Sequence, residues 1–409
     1  MNRRRFLQAT ALASVGCRLP GGFPKRGYGP LRKDVAGLLD LPAGFQYHVL
    51  FGAGQKMDDG LYMPMYPAQI GVFAGTAGEL LLVVNHDVPH GSPSRSGPYG
   101  FKHTLYGGVD PALCYDLGSG GQPGGIGGTV TLVYDAAGGF VKRAFLSLGG
   151  TVANGVGCAS ASGTWLSGET VRLAPGDRYG RAHGLLFEVV PSSDARSAER
   201  RPLPSFGTFA RAGVCIDPST SALYQAEAGP QGHLFRSVVS GGDDRLEALR
   251  ATGEGATWVP VDEFEDPGRS ARERGATPFS NVSGMLFLEG AVVFNTLKAD
   301  GSSQRIAYRP ARQGEEHGAL VTLAEPCVTG AQGGDAVRLP GGRRGLVVPS
   351  GTPSNERAQT LVVCGEGETS YPIAAGAGRL SGPAFDPSGR LLFLSLAESG
   401  KVVVVEGPW

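Results

Sequence analysis

From residue 41 onward one pattern keeps returning: a short apolar run, a turn of Gly, Pro, Asp or Ser, and a second run rich in Val, Leu and Phe. The copies are Ile70–Phe73 with Glu79–Val84, Gly157-Cys158 with Gly163–Leu166, and Gly213–Pro218 with Ala222–Tyr224. They continue as Met285–Phe287 with Ala291–Phe294, Ala336–Leu339 with Gly345–Val348, and Pro383–Pro387 with Arg390–Leu394. Runs this short, bounded by turn formers, predict β-hairpins rather than helices. Asp217-Pro218 and Asp386-Pro387 add a turn signal, because proline presets φ and the carboxylate can bond backbone N–H groups two residues on. Six diverged hairpins predict an all-β chain, a six-bladed β-propeller forming a single domain over residues 28–409. The C-terminal run Lys401–Val405 is expected to close the ring beside Phe45–Leu50. Insertions are expected at Lys102–Gly125, Val190–Pro204 and Asp262–Arg274.

Composition fits that picture. The 409 residues include 66 glycines and 29 prolines, which supply turns, and 41% hydrophobic residues, enough for a sizeable core. With 37 basic and 37 acidic side chains the net charge is zero, so the chain as a whole carries no footprint for nucleic acid or an anionic membrane. The six cysteines form no C-x-x-C pair and read as small buried hydrophobes. No G-x-S-x-G, H-E-x-x-H or P-loop occurs, which leaves serine hydrolase, zincin and nucleotide-binding readings without a mechanical basis.

The N-terminus tells of address. Arg3-Arg4-Arg5-Phe6-Leu7 precedes a weakly apolar stretch, so residues 1–27 read as a twin-arginine-type export signal with a short linker. The twin-arginine export machinery is then a partner. The expected location is the periplasm or the extracellular space, with Val15-Gly16-Cys17 offering a weak lipobox that would tether the chain through Cys17. No later apolar run approaches the ~18 residues of a transmembrane helix.

The residues just after each second run should occupy equivalent places in such a ring. Three of these stretches carry a carboxylate: Asn85-His86-Asp87, Ser167-Gly168-Glu169 and Ala226-Glu227-Ala228. Converging carboxylates suit a hard cation such as calcium, which takes oxygen ligands.

From Leu41 to Trp409 the chain resembles the PhoX-type alkaline phosphatases. The resemblance is carried by LPAGFQYHVL, MDDGLYMPMYPAQIGVFAG, LLLVVNHD, FLSLGGTVAN, GTWLSGE, CIDPSTSALYQAEAG and LSGPAFDPSGRLLFLSLAESGKVVVVEGPW. It implies an exported propeller whose central iron and calcium ions hydrolyse phosphomonoesters. The implied ligand set is depleted here. The position of the family's iron-bridging cysteine falls on Gly155, with Cys158 three residues later, and of a glutamate pair only Glu169 remains, followed by Thr170. A His-Glu pair falls on Arg211-Ala212, and late acidic positions fall on Gly333-Gly334-Asp335 and Pro349-Ser350. The remaining metal candidates are Asp87, Glu169, Glu227 and Asp335. Buried cations need matched negative charge, so iron is not expected and calcium is the cation these residues would suit. The leading expectation is a degenerate phosphatase or binding module. The alternative is a metal-dependent phosphomonoester hydrolase with a reduced site, in which Arg211 is catalytic and clamps phosphate or a phosphorylated small molecule by its guanidinium fork.

Overall fold

The computed structural model describes residues 27–409 apart from 177, 196, 241–242, 254, 312–314, 324–335, 341–343, 350–358 and 365–369. All six hairpins read from the sequence are present, and each opens an antiparallel unit of four strands. Unit 1 comprises Pro67–Ala74, Glu79–His86, Gly127–Asp135 and Phe140–Thr151. Unit 2 comprises Asn154–Ala159, Trp165–Glu169, Leu186–Val189 and Arg200–Pro202. Its last strand therefore lies within the stretch read from sequence as an insertion. Unit 3 runs Arg211–Ile216, Leu223–Glu227, Gly232–Ser240 and Asp243–Thr252, with Gly255–Pro260 added at its edge.

Unit 4 is Pro278–Leu288, Ala291–Leu297, Ser303–Arg309 and Ala319–Leu323. Unit 5 is Ala336–Arg338, Arg344–Pro349, Gln359–Cys364 and Ser370–Gly376, extended by Leu39–Pro42 and Leu31–Arg32. Unit 6 takes Leu380–Phe385, Leu391–Leu396 and Lys401–Glu406 from the C-terminus and Gln46–Gly52 from the N-terminus. That last pairing, Val404 opposite His48, joins the two ends of the chain as the apolar C-terminal run predicts.

The first strands touch in cyclic order: unit 1 with unit 2, then 3, 4, 5 and 6, and unit 6 with unit 1 again. Strands inside the units are buried on both faces, which is why they read as continuous apolar runs rather than as alternating ones. In unit 6, Phe393, Val402 and Val404 pack on Leu82, Val84 and Leu132 of unit 1. The intervening Leu392, Leu394, Val403 and Val405 pack on Val337, Leu361 and Val363 of unit 5. Polar stitches cross the seams. Asn85 donates from Nδ2 to the carbonyl of Val156 (2.7 Å) and accepts from the Trp165 indole (2.8 Å), while Ser395 donates to the carbonyl of Ala68.

Glycine matters where the first strands crowd together. A Cβ at Gly71 would lie 2.5 Å from Trp165 Cε3 and one at Gly157 would lie 2.3 Å from Cζ2, so the indole occupies a slot that two side-chain-free positions keep open. One α-helix, Pro267–Glu273, is present among the described residues, capped by Asp266. No helix among them is long and apolar enough to cross a membrane.

Candidate functional site

Glu169 ends the second strand of unit 2 and is fully buried. Its Oε1 accepts from the backbone N–H of Val152 (2.8 Å) and faces His183 Nδ1 at 2.7 Å. Its Oε2 accepts from the N–H groups of Gly184 (2.6 Å) and Leu185 (3.0 Å). A carboxylate offers about four lone-pair sites, and all are occupied by this protein. The other ring nitrogen of His183 faces Asp116 Oδ2 at 3.2 Å, and Asp116 is held by the N–H groups of Gly118 and Gly180. Asp116, His183 and Glu169 thus form a buried linear chain linking the loop after unit 1's second strand, the loop after Glu169, and the strand end itself. Tyr115 and Tyr179 close over the imidazole edge-on, with centroids 5.7 and 4.9 Å away.

A neutral imidazole has one N–H to donate and the imidazolium has two, so two flanking acidic groups favour the charged ring. Burial by itself would lower the His183 pKa, but the bonds and charges of Glu169 and Asp116 outweigh it and the net shift is upward. A histidine raised on folding contributes stability that is full below its ordinary value of ~6.5 and lost as pH rises through the raised folded value. Urea melts of the wild type should therefore weaken from neutral toward alkaline pH more steeply than those of His183→Asn. Parallel profiles for the two proteins would contradict the assignment.

Arg211 opens the first strand of unit 3 and is 1% exposed. Its Nε donates to Gln225 Oε1 (2.9 Å), Nη1 to the carbonyls of Gly184 (2.6 Å) and Phe209 (3.3 Å), and Nη2 to those of Gly207 (2.7 Å) and Phe206 (3.3 Å). Its five N–H donors are committed, and the guanidinium also lies over the Phe209 ring at 4.2 Å. Burial lowers its pKa to about 9, against the opposing pull of Glu169. The phosphate clamp expected of Arg211 is corrected on this point: no N–H remains to receive an oxyanion in this conformation.

Asp87 lies beyond the second strand of unit 1. Its Oδ2 pairs with Arg379 Nη1 at 2.9 Å and its Oδ1 accepts from Thr170 Oγ1 at 3.3 Å. Gly155 faces the same carboxylate, for a Cβ there would stand 3.1 Å from Asp87 Cγ. Cys158 is turned instead toward Leu166, Val214 and Ile216, and burial pushes its thiol up to about 12. Glu227 pairs through Oε2 with His233 Nδ1 (3.0 Å), and its Oε1 lies against Gly268. Asp335 lies outside the described residues, as do Cys17 and most of the stretch read from sequence as an export signal.

The structure brings Glu169 and Arg211 together around Gly184, and Asp87 beside Thr170, the residue next to Glu169. Glu227 has its own partner. Among the described residues no three His, Cys, Asp or Glu side chains converge as a group able to hold a metal ion. Asp116 escaped the sequence reading, since nothing in its insertion marks it as the second partner of His183.

Between the first strands of units 1, 2, 3, 4 and 6 lies a cavity of about 330 Å³, bordered by Val72, Val156, Cys158, Met285, Phe287 and Ala384. Its border is mainly apolar.

Fold and site together define a mostly-β protein of repeated antiparallel units with a buried polar centre neutralised from within. No protein-family model matches the chain, and no curated protein matches it. Among solved structures it is similar to a protein of unknown function from Dyadobacter fermentans, at 12% identity over 89% of this chain and 99% of that one, with a TM-score of 0.46. A gluconolactonase from Xanthomonas campestris matches at 11% identity over 94% and 99%, with a TM-score of 0.44. The NanB sialidase of Streptococcus pneumoniae matches at 10% identity over 88% and 70%, with a TM-score of 0.46. Likenesses this distant decide neither activity nor ligand.

Proposed function

We propose that the six units are the blades of one propeller, exported and related to the PhoX-type phosphatases, that works as a binding module without metal-dependent hydrolysis. The observation that carries this reading is the state of the three described carboxylates expected to bind metal. Glu169 has every lone pair occupied, Asp87 is paired with Arg379, and Glu227 is paired with His233. A cation would have to displace these partners, and each displaced group would lose its own bond. The mainly apolar border of the axial cavity supports the same reading, since it is a poor receptacle for phosphate.

Elemental analysis of the purified exported protein, together with p-nitrophenyl phosphate turnover on the same sample, tests it. Neither stoichiometric metal nor turnover is expected. Calcium or iron near one equivalent per chain, with turnover abolished by a chelator, would establish the hydrolase with a reduced site instead.

A further inference from the structure

Several surface arginines are matched with acids: Arg172 with Asp266, Arg201 with Glu188, Arg236 with Glu247, Arg269 with Glu263 and Arg274 with Asp262. On one face exposed cations instead lie over aromatic rings. Lys102 lies over the Phe101 ring at 5.5 Å, Arg178 over Tyr179 at 5.7 Å and Arg181 over Tyr115 at 5.3 Å. All three cations are exposed, and none of their side chains makes an ion pair or hydrogen bond to a described residue. They belong together in space, because Tyr115 and Tyr179 both stand edge-on to His183. His103, next to Lys102, is itself within the electrostatic reach of Arg178. His90 joins the group through a 2.5 Å hydrogen bond between its Nδ1 and the Tyr179 hydroxyl. The acids beneath, Asp116 and Glu169, are engaged by His183 and backbone amides, and Asp110 caps Ala112. Asp116 and Glu169 lie buried, so the exposed groups named on this face are three cations, Lys102, Arg178 and Arg181, against one acid, Asp110.

Stacking on an aromatic ring holds a guanidinium flat and leaves its N–H edge directed outward, which lowers the ordering cost of meeting an oxyanion. Two such guanidinium groups and the Lys102 ammonium, on two separate loops, suit a ligand that repeats its charge along a chain. We propose that the face formed by Lys102, Arg178 and Arg181 binds a polyanion, a chain bearing regularly spaced oxyanions. This surface is separate from the buried polar centre, and its test does not depend on whether that centre holds a metal.

Dextran sulfate is the probe, titrated by calorimetry against the exported protein, with inorganic phosphate as the single-anion arm. Arg178→Gln and Arg181→Gln are each expected to weaken dextran sulfate binding by about tenfold, the loss of a charge-assisted bond. Arg269→Gln, which removes an exposed but paired cation, should leave it unchanged. Phosphate should bind far more weakly than the chain. The proposal is overturned if the wild type does not bind dextran sulfate, if Arg269→Gln costs as much as Arg178→Gln, or if phosphate alone binds as tightly.

Discussion

Glu169→Ala is expected to destabilise the fold by about 3–5 kcal/mol, the cost of removing one member of a buried, hydrogen-bonded charge pair. The substitution strands the N–H groups of Val152, Gly184 and Leu185 in the interior and leaves His183 with only Asp116. It also takes away the negative charge nearest the buried Arg211. Glu169→Gln keeps the shape but turns an amide NH₂ toward groups that are themselves donors, so it should recover only part of the loss. Chemical denaturation of the two variants measures this. A Glu169→Ala protein as stable as the wild type would mean that the carboxylate is not the keystone of this region, and would reopen it as a cation ligand.

Trp165→Ala should cost a comparable amount, about 3–5 kcal/mol, for a different reason. The indole is 3% exposed and packs with Val83, Leu148 and Phe187 across the seam between units 1 and 2. Truncating a large buried aromatic loses its transfer free energy and leaves a cavity that the surroundings only partly fill. Here collapse is hindered, because two of the walls are the backbone of Gly71 and Gly157 and carry no side chain to relax inward. Asn85 would also lose the donor to its Oδ1. Filling the slot from either side is no remedy in the wild type: Gly157→Ala places a methyl group against the indole and should itself be destabilising. The measurement is again the free energy of unfolding, and a loss below about 1 kcal/mol for Trp165→Ala would contradict the packing argument.

The hairpins were legible because they are local. Asp217 accepts from the N–H and hydroxyl of Ser219, and Asp386 accepts from the N–H groups of Ser388, Arg390 and Leu391, so each Asp-Pro turn is built from residues within a few positions of one another. The last strand of unit 2, Arg200–Pro202, was not legible. It is three residues long and polar at its first two positions, and only pairing with Leu186–Val189 makes it a strand.

For the site, the sequence identified residue types and left their partners open. Glu169 could be singled out from its place after a repeated hairpin and Arg211 through the family resemblance, whereas nothing in the sequence marked His183 as their partner. What each does is set largely by backbone groups outside its own strand. Arg211 is held by carbonyls of Phe206, Gly207 and Gly184, and Glu169 by an amide of Val152 on one side and of Gly184 and Leu185 on the other. Backbone donors and acceptors are the same at every position, so no pattern of side chains announces which will turn inward. By itself, then, the sequence determined the six hairpins, their turns and the pairing of the two chain ends. Whether a buried charge meets a metal, a ligand or its own backbone was decided only when folding fixed which polar groups lie within about 3 Å of it.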